Sequence, residues 1–232
     1  MSTRNIFLFM QFYDKISAMR IIHTILRAIL FGFLCIAPLR AESTRPDENQ
    51  AESVPQDEIQ NTMNNSAIAR TQKPVKIRTD RETLDYFIEH VDELTKHKKG
   101  FTNQELILNA KGNGKYDIQI PSKKIIGDFA LAERQADKAI YFGHGKAESF
   151  LHFAGAIVLE VGYTMQNDGE GGYADVTTGV HLGFDNPAVA VLAVVTSPIL
   201  NPQLDKLITK FSKRTQKVVE AAYAEKKGQA KP

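Results

Sequence analysis

Residues 172–228, GYADVTTGVHLGFDNPAVAVLAVVTSPILNPQLDKLITKFSKRTQKVVEAAYAEKKG, pass from a strand pattern into a long helix pattern. Apolar and polar side chains alternate over much of Tyr173–Phe184, which predicts a strand with one buried face. Asn186-Pro187 then has the chemistry of a helix cap and first helical position, and Asn201-Pro202 repeats it after the apolar run Ala188–Thr196. The stretch therefore predicts a last strand that leads into a C-terminal helical segment.

The C-terminal helix has one apolar stripe and one basic side. The basic side has two interpretations: transient contact with anionic lipid headgroups at a membrane surface, or a solvated helix surface. The apolar stripe predicts a face that packs on the rest of the domain. The stripe comprises Leu204, Leu207, Ile208, Phe211, Val218, Val219 and Ala222, and the basic residues are Lys206, Lys210, Lys213, Arg214 and Lys217.

The stretch before the last strand alternates between short strands and turns. Phe150–Met165 is a long apolar run, and Asn167–Gly172 has the glycines and polar residues of a hairpin loop. Further upstream, Glu105–Ala110 and Lys115–Ile120 alternate on either side of the turn signal Gly112-Asn-Gly114. A period near two with short connections predicts an antiparallel meander.

A strand and a helix precede the meander. Pro74–Arg78 is a short strand candidate, and Thr79-Asp-Arg-Glu82 matches a capping box at the start of a helix that Gly100 ends. A sheet with one apolar face needs a cover, which the stripe of the C-terminal helix provides. The sequence therefore predicts an α+β fold in which a curved antiparallel β-sheet grips the long C-terminal α-helix.

The N-terminal residues have the composition of an export signal. Arg20 and Arg27 precede the apolar run 28–37, and Ala41 is a small residue suited to cleavage before Glu42. The run is too short for an ordinary spanning helix, which needs about 20 apolar residues. We therefore expect an exported protein, periplasmic or secreted; the alternative is a membrane tether formed by an uncleaved signal.

Composition divides the chain into three parts. Residues 1–41 are predicted to be an N-terminal extension and signal sequence. Residues 42–73 are poor in large apolar side chains and rich in polar ones, which predicts a disordered linker because such a segment buries too little to offset its ordering entropy. Residues 74–228 hold all the periodic segments and are predicted to form the folded domain.

Charge and cysteine content exclude several function classes. Residues 1–41 hold five of the 29 Lys and Arg residues and one of the 27 Asp and Glu residues, so the remainder has a formal charge near −2. That balance gives no reason to expect nucleic acid as a partner. The only cysteine, Cys35, lies in the predicted signal, so we expect neither a disulfide nor a Cys-ligated metal in the domain. We expect no cofactor.

No catalytic motif is present in the sequence. It contains no nucleophile elbow, Walker loop, dinucleotide fingerprint or His-Glu-x-x-His pair. A hairpin centred near Asp168 would place His152 opposite Asp185 and Glu160 opposite Thr177, all on the outer face of the sheet. Such pairs act as surface hydrogen bonds in most proteins, and we predict no catalytic residue among them.

Two passages resemble the START-like (SRPBCC, helix-grip) superfamily, and within it the branch of the polyketide cyclases and of a carbon monoxide dehydrogenase component. One is Gly112-Asn-Gly-Lys-Tyr-Asp-Ile118 followed by Ile126-Gly-Asp-Phe129. The other is Gly172-Tyr-Ala-Asp-Val-Thr177 leading into Gly183-Phe-Asp-Asn-Pro-Ala-Val-Ala190, where the family passes from its last strand into the grip helix. The resemblance covers about residues 74–226. It implies a deep apolar cavity between sheet and helix that holds a lipid or another hydrophobic ligand.

Alternation along the strands predicts which residues would line such a cavity. The same hairpin pairs Phe153 with Phe184, Ile157 with Val180, and Val161 with Val176, three apolar pairs on one face. The alternative is a solid core, since close packing is the default for protein interiors. The predicted lining residues are Phe129, Leu131, Phe153, Ile157, Val161, Val176, Val180, Phe184, Leu207, Ile208 and Phe211.

These observations favour an exported START-like domain that binds or carries a hydrophobic small molecule or lipid without chemistry. One alternative is a cyclase- or hydratase-like enzyme in the same fold. It would need a polar group inside the chamber, and the predicted faces supply only Thr178 there. A second alternative is a non-catalytic interaction module that uses the basic helix and the acidic linker.

Overall fold

The computed structural model describes residues 55–148, 152–169 and 171–229. The predicted signal sequence and the first part of the predicted linker lie outside these residues. The elements in chain order are α1 (Gln56–Asn64), β1 (Ile68–Thr71), β2 (Val75–Arg78), α2 (Arg81–Glu89), α3 (Glu93–Lys96), β3 (Ile107–Gly112), β4 (Lys115–Ile120), β5 (Ile125–Arg134), β6 (Lys138–Glu148), β7 (His152–Asn167), β8 (Gly172–Leu182), α4 (Pro187–Val195) and α5 (Ser197–Gln229).

The strands form one antiparallel sheet in which the first strands pair with the last. The order across the sheet is β1-β8-β7-β6-β5-β4-β3, and β2 also pairs with β8. The strands β3 to β8 are therefore a meander, as their period and short connections predict. The turn between β3 and β4 has positive φ angles at Gly112, Asn113 and Gly114, which explains the two glycines of the predicted turn.

One edge of the sheet holds α5 through polar contacts. Asp205 accepts hydrogen bonds from Arg70 of β1 at 2.8 and 2.5 Å. Gln216 donates to the backbone oxygen of Lys76 in β2 at 2.9 Å. Beneath these contacts, Val218 of α5 is fully buried in a cluster with the strand and helix residues beside it.

The opposite edge of the sheet holds the same helix. The rings of Phe101 and Phe211 lie 5.0 Å apart. Glu105, just before β3, accepts a hydrogen bond from Lys210 at 2.8 Å and lies 3.3 Å from Arg214. Because both edges of one sheet contact one helix, the sheet wraps around α5. The predicted helix-grip α+β fold is confirmed by this topology.

The inner face of the sheet, which carries Ala139, Tyr141 and Leu159, packs against α2. Leu84 and Ile88 of α2 are buried with Tyr141 in one cluster. The Tyr141 hydroxyl donates to the backbone oxygen of Ile88, and the Tyr116 hydroxyl donates to that of Glu89 at 2.6 Å. The last carbonyl groups of a helix have no partner inside it, so these two tyrosines satisfy the end of α2 while fixing it to the sheet.

The predicted start of α2 is wrong by one residue, and its predicted end is wrong by more. Asp80 is the cap, because its side chain accepts a hydrogen bond from the backbone nitrogen of Thr83 at 2.8 Å. Thr79, the predicted cap, is fully buried. The helix ends at Glu89, and the short α3 follows it before Gly100.

The outer face, which carries Ile140, Phe142 and Val158, is covered in part by α1. Ile59 of α1 is only 1% exposed and lies in a cluster with these three residues. The prediction of a disordered linker over 42–73 is therefore wrong for residues 56–71, which form α1 and β1. A short helix with few apolar residues folds here because a strand face supplies the rest of its hydrophobic contact.

Three glycines form a row across the inner face of the sheet. Gly127 of β5 lies opposite Gly145 of β6, which lies opposite Gly155 of β7. Gly183, after β8, lies beside Gly155 but pairs with Ala156 and faces outward, toward Thr62 of α1. A Cβ atom on Gly127 would lie 2.3 Å from the His144 oxygen, and one on Gly155 would lie 2.0 Å from the Gly183 oxygen. Neighbouring backbones approach this closely only without side chains, so the row lets the sheet curve.

Among the described residues, no single helix is long and apolar enough to cross a membrane. The helix α4 and the Leu200–Gly228 part of α5 meet the length and composition criteria only as a pair, bent by 91°.

Candidate functional site

The predicted lining residues of β7 and β8 lie on the inner face, but their register differs from the prediction. Ile157 lies opposite Leu182, not Val180, and Val161 lies opposite Thr178, not Val176. The hairpin loop is centred one residue later than predicted, which shifts each partner by two. A shift of two keeps every side chain on its face, since side chains alternate with a period of two.

The predicted pair of phenylalanines is in contact. The rings of Phe153 and Phe184 lie 5.6 Å apart in an edge-to-face arrangement. Both side chains are half-buried, as is Ile157 two residues after Gly155 in the glycine row. The row therefore continues the inner face as a surface without side chains, bordered by large apolar groups.

The predicted lining residues of β5 form the aromatic part of the inner face. Phe129 stacks on Tyr116 with ring centroids 5.1 Å apart and meets Tyr141 edge-on at 5.9 Å. Leu131 packs with Val161 and the other partly buried residues against the buried cluster of α2. This part of the face is closed by α2, which the sequence did not predict as a neighbour of Phe129.

The predicted lining residues of α5 are split between packed and half-buried positions. Ile208 is buried, Leu207 is half-buried, and Phe211 packs on Phe101 at the β3 edge of the sheet. Val180 is buried, and Val176 is a partly buried neighbour of the clusters on the inner face. The residues around the Phe153–Phe184 pair differ from these: they are half-buried and do not belong to any of the four buried clusters of the described residues.

The inner face has few polar groups, and most of them form hydrogen bonds with other residues of the domain. Thr178 faces inward opposite Val161. At the α2 end, the Tyr163 hydroxyl donates to Asp85 at 2.5 Å and accepts from Arg134 at 2.8 Å. Burial and the nearby Asp85 carboxylate raise the pKa of Tyr163. Asp175 and His181 have the opposite parity along β8 and lie on the outer face.

A charged cluster on the outer face was not predicted as such. Glu160 contacts His181 at 3.2 Å and Lys138 at 2.7 Å, rather than pairing with Thr177. Burial opposes ionisation of Glu160, but the hydrogen bond from Lys138 and the neighbouring charges outweigh it and lower the pKa of the carboxyl group. The two-residue shift in register, which puts Gly179 opposite Glu160, brings His181 beside it.

Within the described part of the chain, no group of three His, Cys, Asp or Glu residues is arranged to hold a metal ion.

Two open pockets lie outside the set of residues predicted to line the cavity. A smaller pocket of about 310 Å³ lies beside α3, lined by Phe87, Glu93, Lys96, His97, Lys98 and Glu225. A larger one of about 510 Å³ follows α5 and is lined by Asp205, Lys206, Thr209, Lys210, Lys213, Arg214 and Lys217.

Comparisons with known proteins find similarity only among solved structures. No family model and no curated protein matches the sequence. A conserved protein from Geobacillus kaustophilus is 13% identical, with 67% of this chain and 97% of that chain covered and a TM-score of 0.40. A START superfamily protein from Mycobacterium smegmatis is 12% identical, with 68% and 97% covered and a TM-score of 0.35. The fold assignment rests on the topology of this chain.

Proposed function

We propose that this chain is an exported START-like domain that binds a hydrophobic small molecule or lipid between the inner face of its sheet and α5. The observation that carries the proposal is the half-buried apolar group around the glycine row, formed by Phe153, Ile157, Leu182 and Phe184. Fully burying an exposed large apolar side chain contributes about 1.5–3 kcal/mol, so covering the exposed part of each half-buried one contributes roughly 1 kcal/mol, and a ligand that covers all four gains several times that.

The glycine row indicates the shape of the ligand. It crosses two inter-strand spacings of about 4.8 Å, from β5 to β7, so it runs for roughly 10 Å without side chains on the inner face. The only inward polar side chain near the middle of β8 is Thr178 among the residues described there. An elongated acyl chain or a flat ring system with at most one hydrogen-bonding group matches this surface.

Export rests on the sequence alone. The basic residues Arg20 and Arg27, the apolar run 28–37 and the small residue Ala41 together support a cleaved signal. N-terminal sequencing of the protein recovered from its own host is expected to begin at Glu42. Recovery of the uncleaved chain in the membrane fraction would support the tethered alternative instead.

Titration with the fluorescent fatty acid cis-parinaric acid tests the binding proposal. The wild-type chain is expected to bind it saturably at one site. Ile157→Asn places an amide on the inner face and is expected to weaken binding about 10- to 100-fold, because it removes apolar contact and leaves a polar group without a partner under the ligand. Ile126→Asn is the matched control because Ile126 is 40% exposed on the outer face.

Two results of that titration would contradict the proposal. One is the lack of saturable binding by the wild-type chain. The other is equal binding by the Ile157→Asn and Ile126→Asn variants, with thermal melting showing that both remain folded.

A further inference from the structure

The helix α4 is apolar along its whole length and has one exposed face. Its sequence PAVAVLAVV contains no polar side chain. Val191, Val194 and Val195 are 64%, 55% and 71% exposed, and their spacing puts them on one face. A surface helix of a soluble domain normally turns polar residues outward, and contiguous exposed apolar residues mark an interaction site.

The helix α5 carries a basic stripe on the side away from the core. Lys206, Lys210, Lys213 and Lys217 follow one another in steps of four, three and four residues, which keeps them within an arc of about 60° at 3.6 residues per turn. All four are exposed. Residues 206–219 contain no Asp or Glu. The acidic residues that flank this segment, Asp205 and Glu220, accept hydrogen bonds from Arg70 and Gln216.

Most of the stripe also lacks acidic partners elsewhere in the fold. Lys210 is paired with Glu105 at 2.8 Å. Lys206, Lys213 and Lys217 form no ion pair with any residue that the structure describes. Three exposed lysines without an acidic partner among the described residues therefore lie on α5, the helix that follows α4 in the chain.

The two helices meet at an elbow. Thr196 separates them, and its hydroxyl donates to the backbone oxygen of Leu192 at 2.7 Å. The α4 axis is bent by 91° from that of Leu200–Gly228. At about 1.5 Å per residue, α4 is only about 13 Å long, much too short to span a bilayer but long enough to lie in its interface.

We propose that the α4–α5 elbow docks on an anionic lipid bilayer. Val191, Val194 and Val195 enter the boundary between headgroups and acyl chains, and Lys206, Lys213 and Lys217 contact lipid phosphates. A bilayer with anionic lipids supplies both an apolar layer and negative charge at one surface, which matches the two arms of the elbow. This docking does not depend on the ligand site of the inner face.

A unique tryptophan tests the insertion of α4. The chain contains no Trp, so Val194→Trp in the full chain gives one reporter. Its emission is expected to shift to the blue on addition of phosphatidylcholine–phosphatidylglycerol vesicles, and brominated lipids are expected to quench it. Ile126→Trp, on the outer face of the sheet, is the matched control and is expected to show neither effect.

Removal of the lysines tests the electrostatic part. The variant K206Q/K213Q/K217Q, in the Val194→Trp background, is expected to weaken vesicle binding about fivefold per lysine and so about 100-fold in total. K73Q/K115Q/K123Q removes the same charge from exposed positions outside the elbow and is expected to have little effect. The loss is expected to shrink as salt is added, because salt screens exposed charges.

Several outcomes would overturn the proposal. No blue shift in the Val194→Trp variant, or an equal response of the two triple variants, would do so. An emission of the Val194→Trp variant that is already blue without vesicles would also do so: if it depends on protein concentration, a second copy of the chain covers α4, and if it does not, another part of the same chain covers it.

Discussion

Tyr141 and Tyr116 show how single residues close one end of the inner face. Each hydroxyl donates to a carbonyl oxygen at the end of α2, so a group that the helix leaves unpaired becomes an anchor to the sheet. Burial raises the pKa of Tyr141 well above its usual value, as expected for a phenol hydroxyl enclosed in the core. Neither tyrosine lies near Phe153 and Phe184, at the other end of the inner face.

Tyr141→Phe tests this anchor. The change leaves the Ile88 oxygen buried without its donor and is expected to lower the free energy of unfolding by about 1–3 kcal/mol. Tyr86→Phe is the control, because Tyr86 is 47% exposed on the same helix. Urea unfolding measures both. Equal stability of the two variants would show that the Tyr141 hydroxyl does not fix α2.

Glu105 links α5 to the β3 edge in a pH-dependent way. The hydrogen bond from Lys210, together with the Thr102 backbone and Arg214, lowers the pKa of this carboxyl group to about 2 from its usual 4.5. A lowered pKa in the folded state stabilises the fold above pH 4.5, and the contribution is lost as the pH falls toward 2.

Glu105→Gln is therefore expected to destabilise the protein at neutral pH, with the difference from wild type disappearing by about pH 2. Urea midpoints along an acid titration measure it. In a double-mutant cycle with Lys210→Gln, the two effects are expected to be less than additive because the residues share one contact. A difference that stays constant with pH would contradict this account.

At the scale of elements, the sequence predicted most of the sheet and the start of α4, but the predicted helix start at Asn201-Pro202 is wrong, because α5 begins at Ser197 and contains Pro202. Alternation identified β4 and β8, and Asn186 caps α4 as expected, accepting from the backbone nitrogen of Ala188. The helix α1 was missed because its polar sequence gives no strong periodicity, and only the outer face of the sheet stabilises it. The pairing register depends on where the hairpin turns. In the glycine-rich 167–172 segment the predicted centre of the turn was wrong by one residue.

The sequence predicted which side chains of the candidate site lie on the inner face, but it did not predict the glycine row. Phe153, Ile157 and Phe184 lie on the inner face because side-chain alternation survives a two-residue shift. The glycine row was missed, since its members are far apart in the chain and only strand pairing brings them together. Isolated glycines inside strand patterns, such as Gly127 and Gly155, were the available signal.

The glycine row makes a prediction about the sheet. Gly155→Ala puts a Cβ atom 2.0 Å from the Gly183 oxygen, so the backbone must shift, and the expected destabilisation is about 1–3 kcal/mol. Gly162→Ala in the same strand is the control, because its Cβ would meet nothing within 4 Å. Thermal and urea unfolding compare them. Similar stability of the two variants would contradict a structural need for glycine in the row.

The helix α1 makes a prediction about domain boundaries. Ile59→Ala removes a side chain that is 1% exposed and is expected to cost about 2–5 kcal/mol, as for other fully buried aliphatic residues. Gln60→Ala, next to it and exposed, is expected to change stability little in the same urea unfolding measurement. If Ile59→Ala were as stable as Gln60→Ala, residues 56–71 would act as a linker after all.

At the scale of the whole molecule, both edges of the sheet contact the helix α5. The two ends of the inner face differ in how they are closed. The α2 end is closed by aromatic stacking and by the Tyr163–Asp85–Arg134 cluster. The other end is bordered by the half-buried Phe153 and Phe184 and floored by glycine. This asymmetry is why we assign ligand binding to the end near α4.

Native mass spectrometry of the protein purified from its own host tests this assignment most directly. The account predicts a bound species heavier than the polypeptide by the mass of one hydrophobic molecule, which organic solvent releases. It also predicts that Ile157→Asn lowers the occupancy while Ile126→Asn does not. A polypeptide that carries no ligand, together with an experimental structure in which side chains fill the space above the glycine row, would contradict the account.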